Sequence, residues 1–65
     1  MNDLMNKALE VLNRTVRLKT YFHREGDSKM FTAYCHEEQG ILSVMEALGI
    51  KVKYKDGCSL EYELV

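Results

Sequence analysis

The 65-residue chain carries nine lysine and arginine residues against ten aspartate and glutamate residues, which gives a net charge of −1. This balance removes the usual argument for a nucleic-acid-binding domain, which starts from an excess of basic residues. Two cysteines, without a leader-like first segment, argue against a small secreted domain held by disulfides. No apolar run approaches the roughly 20 residues of a membrane span. The sequence therefore predicts one small cytoplasmic domain.

The first segment, residues 2–13, is predicted to form an amphipathic helix because its apolar residues recur at i, i+3, i+4 and i+7. These residues are Leu4, Met5, Ala8, Leu9, Val11 and Leu12. Asn2 or Asp3 can cap the first turn. The helix is expected to end at Asn13, a residue type that tolerates the left-handed conformation in which many helices stop.

The next segment, TVRLKTYF, favours a β-strand, since polar and apolar residues alternate and β-branched and aromatic types are frequent. A helix continued through it would place Lys19 in the middle of the apolar face. The sequence REGDS then predicts a turn, and KMFTAYC predicts a second strand that completes a hairpin. On this interpretation Lys19 is exposed, and Lys19→Glu changes the free energy of unfolding by no more than about 0.5 kcal/mol.

A second helix is predicted from His36 to Gly49. Glu37 and Glu38 lie in its first turn, where the helix dipole favours negative charge, and Gly49 supplies the left-handed residue that ends it. Its apolar stripe consists of Ile41, Leu42, Val44, Met45 and Leu48.

The last residues, IKVKYKDGCSLEYELV, predict a β-hairpin. A three-residue loop, 55–57, with Gly57 at positive φ keeps charged and apolar residues on separate faces. The expected cross-strand pairs are Val52 with Leu60, Lys51 with Glu61, and Tyr54 with Cys58.

Two stretches, NRTVRLKT and GIKVKYKDG, match at an offset of 36 residues, so Val16 corresponds to Val52. The expected fold is therefore α+β: a two-layer domain in the order α-β-β-α-β-β, with a four-stranded, mainly antiparallel sheet and both helices on one face. The single domain, 1–65, would contain two αββ half-units, 1–35 and 36–65. The alternative is two long helices followed by one β-hairpin.

Large apolar residues remain on the open face of this predicted sheet, and a contiguous patch of that kind usually marks a contact surface. The predicted interaction surface contains Tyr21, Phe31 and Ala33. Exposed strand edges also offer pairing to another chain. We therefore expect a small intracellular interaction or regulatory module that forms a homodimer or binds another protein, through the open sheet face or a strand edge.

A nucleic-acid-binding regulator is the alternative function. The first predicted hairpin has no acidic residue in its strands, so Arg14, Arg17 and Lys19 are candidate phosphate contacts, with Tyr21 as a stacking platform. In the second hairpin the lysines have glutamates as neighbours.

Metal binding and catalysis are not favoured. Cys35, His36, His23 and Cys58 lack the closely paired spacing of structural zinc sites. A thiol nucleophile needs an oriented base and a cleft, and a two-layer domain of this size rarely encloses one. We expect no metal, no cofactor, no enzyme activity and no membrane contact.

Overall fold

The structure, a computed structural model, describes residues 3–55 and 61–65. Two helices, α1 (Asp3–Arg24) and α2 (Ser28–Ala47), are followed by two short strands, β1 (Val52–Tyr54) and β2 (Tyr62–Leu64). The helices pack side by side as an antiparallel pair, and the strands form a two-stranded antiparallel sheet. The predicted four-stranded α-β-β-α-β-β fold is therefore wrong. The organisation is the one kept as its alternative, two long helices and one hairpin.

The first helix continues through the segment that was predicted to be a strand, so Asn13 lies inside α1 and does not end it. Lys19 is accommodated because its ammonium group reaches the Glu38 carboxylate of α2, with 2.6 Å between Nζ and Oε1. Thr20 donates its hydroxyl hydrogen to the Val16 carbonyl one turn earlier, at 2.9 Å. Contacts with α2 thus outweigh the local preference of this segment for β-structure.

The segment REGDS is a turn, as predicted, but it joins two helices. Gly26 has a φ of +75°, and its N–H donates to the His23 carbonyl at 3.2 Å while that of Asp27 donates to the Phe22 carbonyl at 3.0 Å. This is the hydrogen-bond pattern of a Schellman motif. Asp27 then caps α2 by accepting the Met30 N–H at 3.1 Å. Helix α2 consequently begins at Ser28 rather than at the predicted His36.

The predicted end of the second helix is confirmed. Gly49 has a φ of +77°, and its N–H donates to the Glu46 carbonyl at 3.0 Å. The N–H of Ile50 donates to the Met45 carbonyl at 2.8 Å. This second Schellman motif directs the chain out of α2 and toward β1.

The C-terminal hairpin is present, but its predicted register is wrong. Val52 lies opposite Leu64, Lys53 opposite Glu63, and Tyr54 opposite Tyr62. The partner of Val52 is thus residue 64 rather than 60. Because this shift is even, the apolar side chains keep a common face. The predicted conformation of Gly57, and the predicted partners Cys58 and Leu60, lie outside the described residues.

The hairpin and both helices contribute to one core. Its buried apolar members are Leu12, Val16, Met45, Ile50 and Tyr62. The sequence echo does not correspond to a structural repeat, because Val16 is helical in α1 whereas Val52 lies in strand β1. Within the predicted half-units 1–35 and 36–65, the described residues 3–35 contain α1 and the start of α2, whereas 36–55 and 61–65 contain the end of α2 and both strands.

Candidate functional site

An apolar groove runs between α1 and α2, and its described lining residues all belong to the two helices or to the first residue after α2. Its volume is about 580 Å³. We call it the interhelical groove; its lining residues are Ala8, Val11, Glu37, Gly40, Ile41, Val44, Met45 and Leu48. Glu37 is the only charged residue among them. A surface depression with so little polar lining is suited to another apolar surface.

The groove exists because α2 is apolar on more than its core-facing side. Met45 points into the core, yet Val44 and Leu48 are 59% and 63% exposed. On α1, Val11 is also exposed, and it lies along the same groove. Helices of globular proteins usually present polar residues at such positions. Contiguous exposed aliphatic side chains are typical of a contact surface.

The packing around Gly40 within this chain leaves space for a larger side chain. A Cβ atom built at this position meets nothing within 4 Å. Glycine inside a helix costs about 1 kcal/mol relative to alanine, so the residue is unfavourable for α2 taken alone. Small side chains also stand seven residues before and after it, at Ala33 and Ala47. This edge of the groove therefore has room for the close approach of another helix.

A second cluster, the Glu38 network, joins both helices to β2. The Glu38 side chain is nearly buried, and one carboxylate oxygen accepts from Lys19 at 2.6 Å. The other accepts from the Tyr62 hydroxyl at 2.8 Å. Thr15 donates to the neighbouring Glu37 carboxylate at 3.1 Å. Both carboxylate oxygens of Glu38 are thus used inside the fold, and the network is explained by its role in holding the hairpin against the helices.

Alkaline pH should weaken the Glu38 network. Burial, with Tyr54 and Glu38 beside it, raises the pKa of the Tyr62 hydroxyl above its ordinary 10.0. Burial lowers the pKa of Lys19, but the hydrogen bond and charge of Glu38 outweigh burial and raise it above 10.5. For both groups the folded-state pKa exceeds the unfolded one, so their contribution to stability is complete below about pH 10 and is lost as the pH rises further.

Urea denaturation at several alkaline pH values measures this loss. Tyr62→Phe removes the ionisable hydroxyl, so its free energy of unfolding should fall less steeply above about pH 10 than that of the wild type. An equally steep fall in the variant would contradict the role of Tyr62 in the network.

The three candidate phosphate contacts have different environments. Arg14 and Arg17 are exposed on α1. Lys19 is paired with Glu38 and is therefore not available to a ligand. In the hairpin, Lys53 and Lys55 lie 3.6 and 3.9 Å from glutamate carboxylates across the strands, which matches the charge neutralisation expected there.

The structure does not bring Tyr21, Phe31 and Ala33 onto one surface. Tyr21 is 50% exposed near the end of α1, with its ring edge-on to Phe22 at 5.0 Å. Phe31 is half-buried in α2, with its ring 5.0 Å from that of His23. Ala33 is exposed on α2 and lies one turn before Glu37, so it extends one edge of the interhelical groove. The sheet face on which the three residues were expected is absent from the described fold.

Sequence reasoning missed the two side chains that organise the fold. Asn13 was predicted to end a helix, but its amide accepts the Tyr62 N–H at 2.7 Å and donates to the Tyr62 carbonyl at 3.0 Å. Glu38 was assigned to the helix dipole. A buried position for Asn13 could have been suspected from the apolar residues on both sides of it at helical spacing, Leu9 and Val16.

Within residues 3–55 and 61–65, no three histidine, cysteine, aspartate or glutamate side chains come together as metal ligands. Cys35 is a half-buried free thiol. Over the same residues, neither helix has the length and apolar character needed to cross a bilayer.

The chain matches no protein-family profile, no curated protein and no solved structure at a significant level.

Proposed function

We propose that this chain is a small, non-catalytic interaction module that associates with a second copy of itself through the interhelical groove. The observation that carries the proposal is the pair of exposed aliphatic side chains, Val44 and Leu48, beside a glycine with no close contact in its own chain. Burying such side chains is favourable by about 25 cal/mol for each Å² removed from water. The near-zero net charge also gives little repulsion between copies.

Charge complementarity favours a second copy as the occupant. The hydrogen bond between Thr15 and Glu37 fixes the relative level of the antiparallel helices, so Val11 and Ile41, four residues further along the groove, also share a level. Lys7 precedes Val11 by four residues and Glu37 precedes Ile41 by four residues, which is roughly 6 Å along each helix at 1.5 Å per residue. Because the helices are antiparallel, Lys7 and Glu37 lie on opposite sides of this level. A two-fold axis through the level therefore exchanges their positions along the groove. Lys7 of each copy would therefore come level with Glu37 of the other.

This arrangement is a four-helix assembly with self-complementary contacts, as a two-fold interface requires. Val11 and Gly40 lie near the axis of this assembly, the Lys7–Glu37 pairs lie about 6 Å to either side of it, and Leu48 lies farther out along the groove. In this proposal the groove takes the place of the predicted sheet face, which the described residues do not form, and is preferred to a strand edge. A cytoplasmic location is part of the same proposal.

Val44→Asp tests the proposed surface. Because the side chain is exposed in the single chain, the variant should keep its helical circular dichroism. It should nevertheless become monomeric by light scattering, since a carboxylate would be buried between the copies. The matched control is Tyr21→Ser, which removes a similarly exposed apolar side chain from a different face of α1 and should leave association unchanged.

Charge reversal tests the two-fold geometry separately. Lys7→Glu should weaken association by about 0.2–1 kcal/mol for each of the two ion pairs in the dimer, or more because like charges would meet at both. Adding Glu37→Lys to that variant should restore association.

Loss of association in the Tyr21→Ser control, with Val44→Asp still dimeric, would contradict the groove as the contact surface.

A further inference from the structure

A second surface lies on the solvent-exposed side of α1. We propose that Arg14, Arg17 and Arg24 bind the phosphate backbone of single-stranded nucleic acid, while the ring of Tyr21 stacks on a base. We call these four residues the arginine stripe. The surface is separate from the interhelical groove, and the inference does not depend on the proposed dimer.

The spacing of the stripe follows directly from the helix. Its residues stand at i, i+3, i+7 and i+10, so they follow one face of α1 over about 15 Å. All four side chains are exposed. No acidic residue occurs in α1 from Arg14 to Arg24, so the field of the arginines along this length is opposed within the helix only by Glu10, one turn before Arg14. Among the described residues, none of the three arginines forms an ion pair.

The tyrosine ring is held in place from behind. The Tyr21 ring contacts Phe22 edge-on at 5.0 Å, and the Phe22 ring stacks on Tyr34 of α2 at 5.6 Å. These two ring contacts support the Tyr21 ring, which remains 50% exposed. A shallow depression of about 180 Å³ beside it is lined by Arg17, Thr20, Tyr21 and Arg24. An aromatic platform between guanidinium groups is the arrangement that binds an unpaired base and its phosphates.

A single strand fits these residues better than a duplex. Base stacking on a side chain requires a base that is not already stacked between neighbours. Arginine also binds phosphate with two parallel hydrogen bonds, which suits the role better than lysine. The charge-balanced chain would bind weakly, because only three cationic contacts are available.

Fluorescence anisotropy with labelled oligo(U) and oligo(dT) of about ten nucleotides measures this binding. Three phosphate contacts predict a logarithmic salt slope of about −2, and so roughly a 20-fold loss of affinity between 50 and 200 mM salt. Arg17→Glu/Arg24→Glu should reduce affinity at least about tenfold and flatten the salt slope. Tyr21→Ala should lower affinity about tenfold, whereas Tyr21→Phe should retain it, because the ring supplies the stacking.

Lys51→Glu is the control: it reverses an exposed charge outside α1, next to β1, and should leave affinity unchanged. Competition experiments distinguish a free nucleotide from a strand as the ligand. An unlabelled strand should displace the labelled oligonucleotide far better than uridine monophosphate does. The proposal is overturned if neither oligonucleotide binds at 50 mM salt, if Lys51→Glu weakens binding as much as the arginine reversals, or if phosphatidylserine vesicles bind where the oligonucleotides do not.

Discussion

Lys19→Glu should lower the free energy of unfolding by about 3 kcal/mol or more, the lower end of the range for breaking a buried ion pair. The lower end applies because the pair is not fully buried: the Lys19 side chain is 21% exposed and the Glu38 side chain 9% exposed. The substitution removes the cation that neutralises Glu38 and places a second carboxylate beside it. Since Glu38 also accepts from Tyr62, the repulsion should loosen the hairpin as well as the helix pair.

Urea denaturation followed by circular dichroism measures this change. Arg17→Glu is the matched control, because it makes the same charge reversal two residues earlier on the exposed face of α1 and should cost no more than about 0.5 kcal/mol. Equal stability of the two variants would mean that residue 19 does not face α2. That outcome would favour the strand that the sequence predicts for this segment.

Asn13→Ala should cost about 2–6 kcal/mol, because it leaves both backbone groups of Tyr62 without their partner in a buried position. Each unsatisfied buried group costs about 1–3 kcal/mol. The loss should also appear locally, as faster hydrogen exchange of the Tyr62 amide. Asn13→Asp should retain part of the stability, since a carboxylate can accept the Tyr62 N–H but cannot donate to its carbonyl.

Asn6→Ala is the control for this prediction. Both variants replace an asparagine of α1 with alanine, but Asn6 is exposed. Its replacement should therefore change the free energy of unfolding by less than about 0.5 kcal/mol. A small effect at both positions would indicate that the hairpin does not depend on the Asn13 side chain.

The parts of the fold that were predictable are those set by neighbouring residues. Gly49 ends α2 through its own left-handed conformation, and the last segment forms a hairpin because its polar and apolar residues alternate. The conformation of 15–23 was not predictable in this way. It depends on Glu38, which is 19 residues from Lys19 in the sequence and becomes its partner only after the turn at Gly26 brings α2 back along α1.

The candidate surfaces were predictable to a similar degree. Strand alternation placed Arg17 and Tyr21 on the open face of the predicted sheet, and Arg14 was predicted to belong to the same basic patch; all three are exposed, although on a helix rather than a sheet. The groove could not be anticipated. Val44 and Leu48 belong to the predicted apolar stripe of the second helix. Only the packing of α2 against α1 shows that part of this stripe, Met45, is buried in the core while Val44 and Leu48 remain exposed.

The molar mass of the wild-type protein in solution, measured by light scattering over a range of concentrations, tests the proposed self-association most directly. The single chain has a mass of 7.6 kDa. We expect the mass to rise with concentration to twice 7.6 kDa and then to stay constant, because a two-fold interface closes on itself. A mass that remains at 7.6 kDa at millimolar concentration would contradict it.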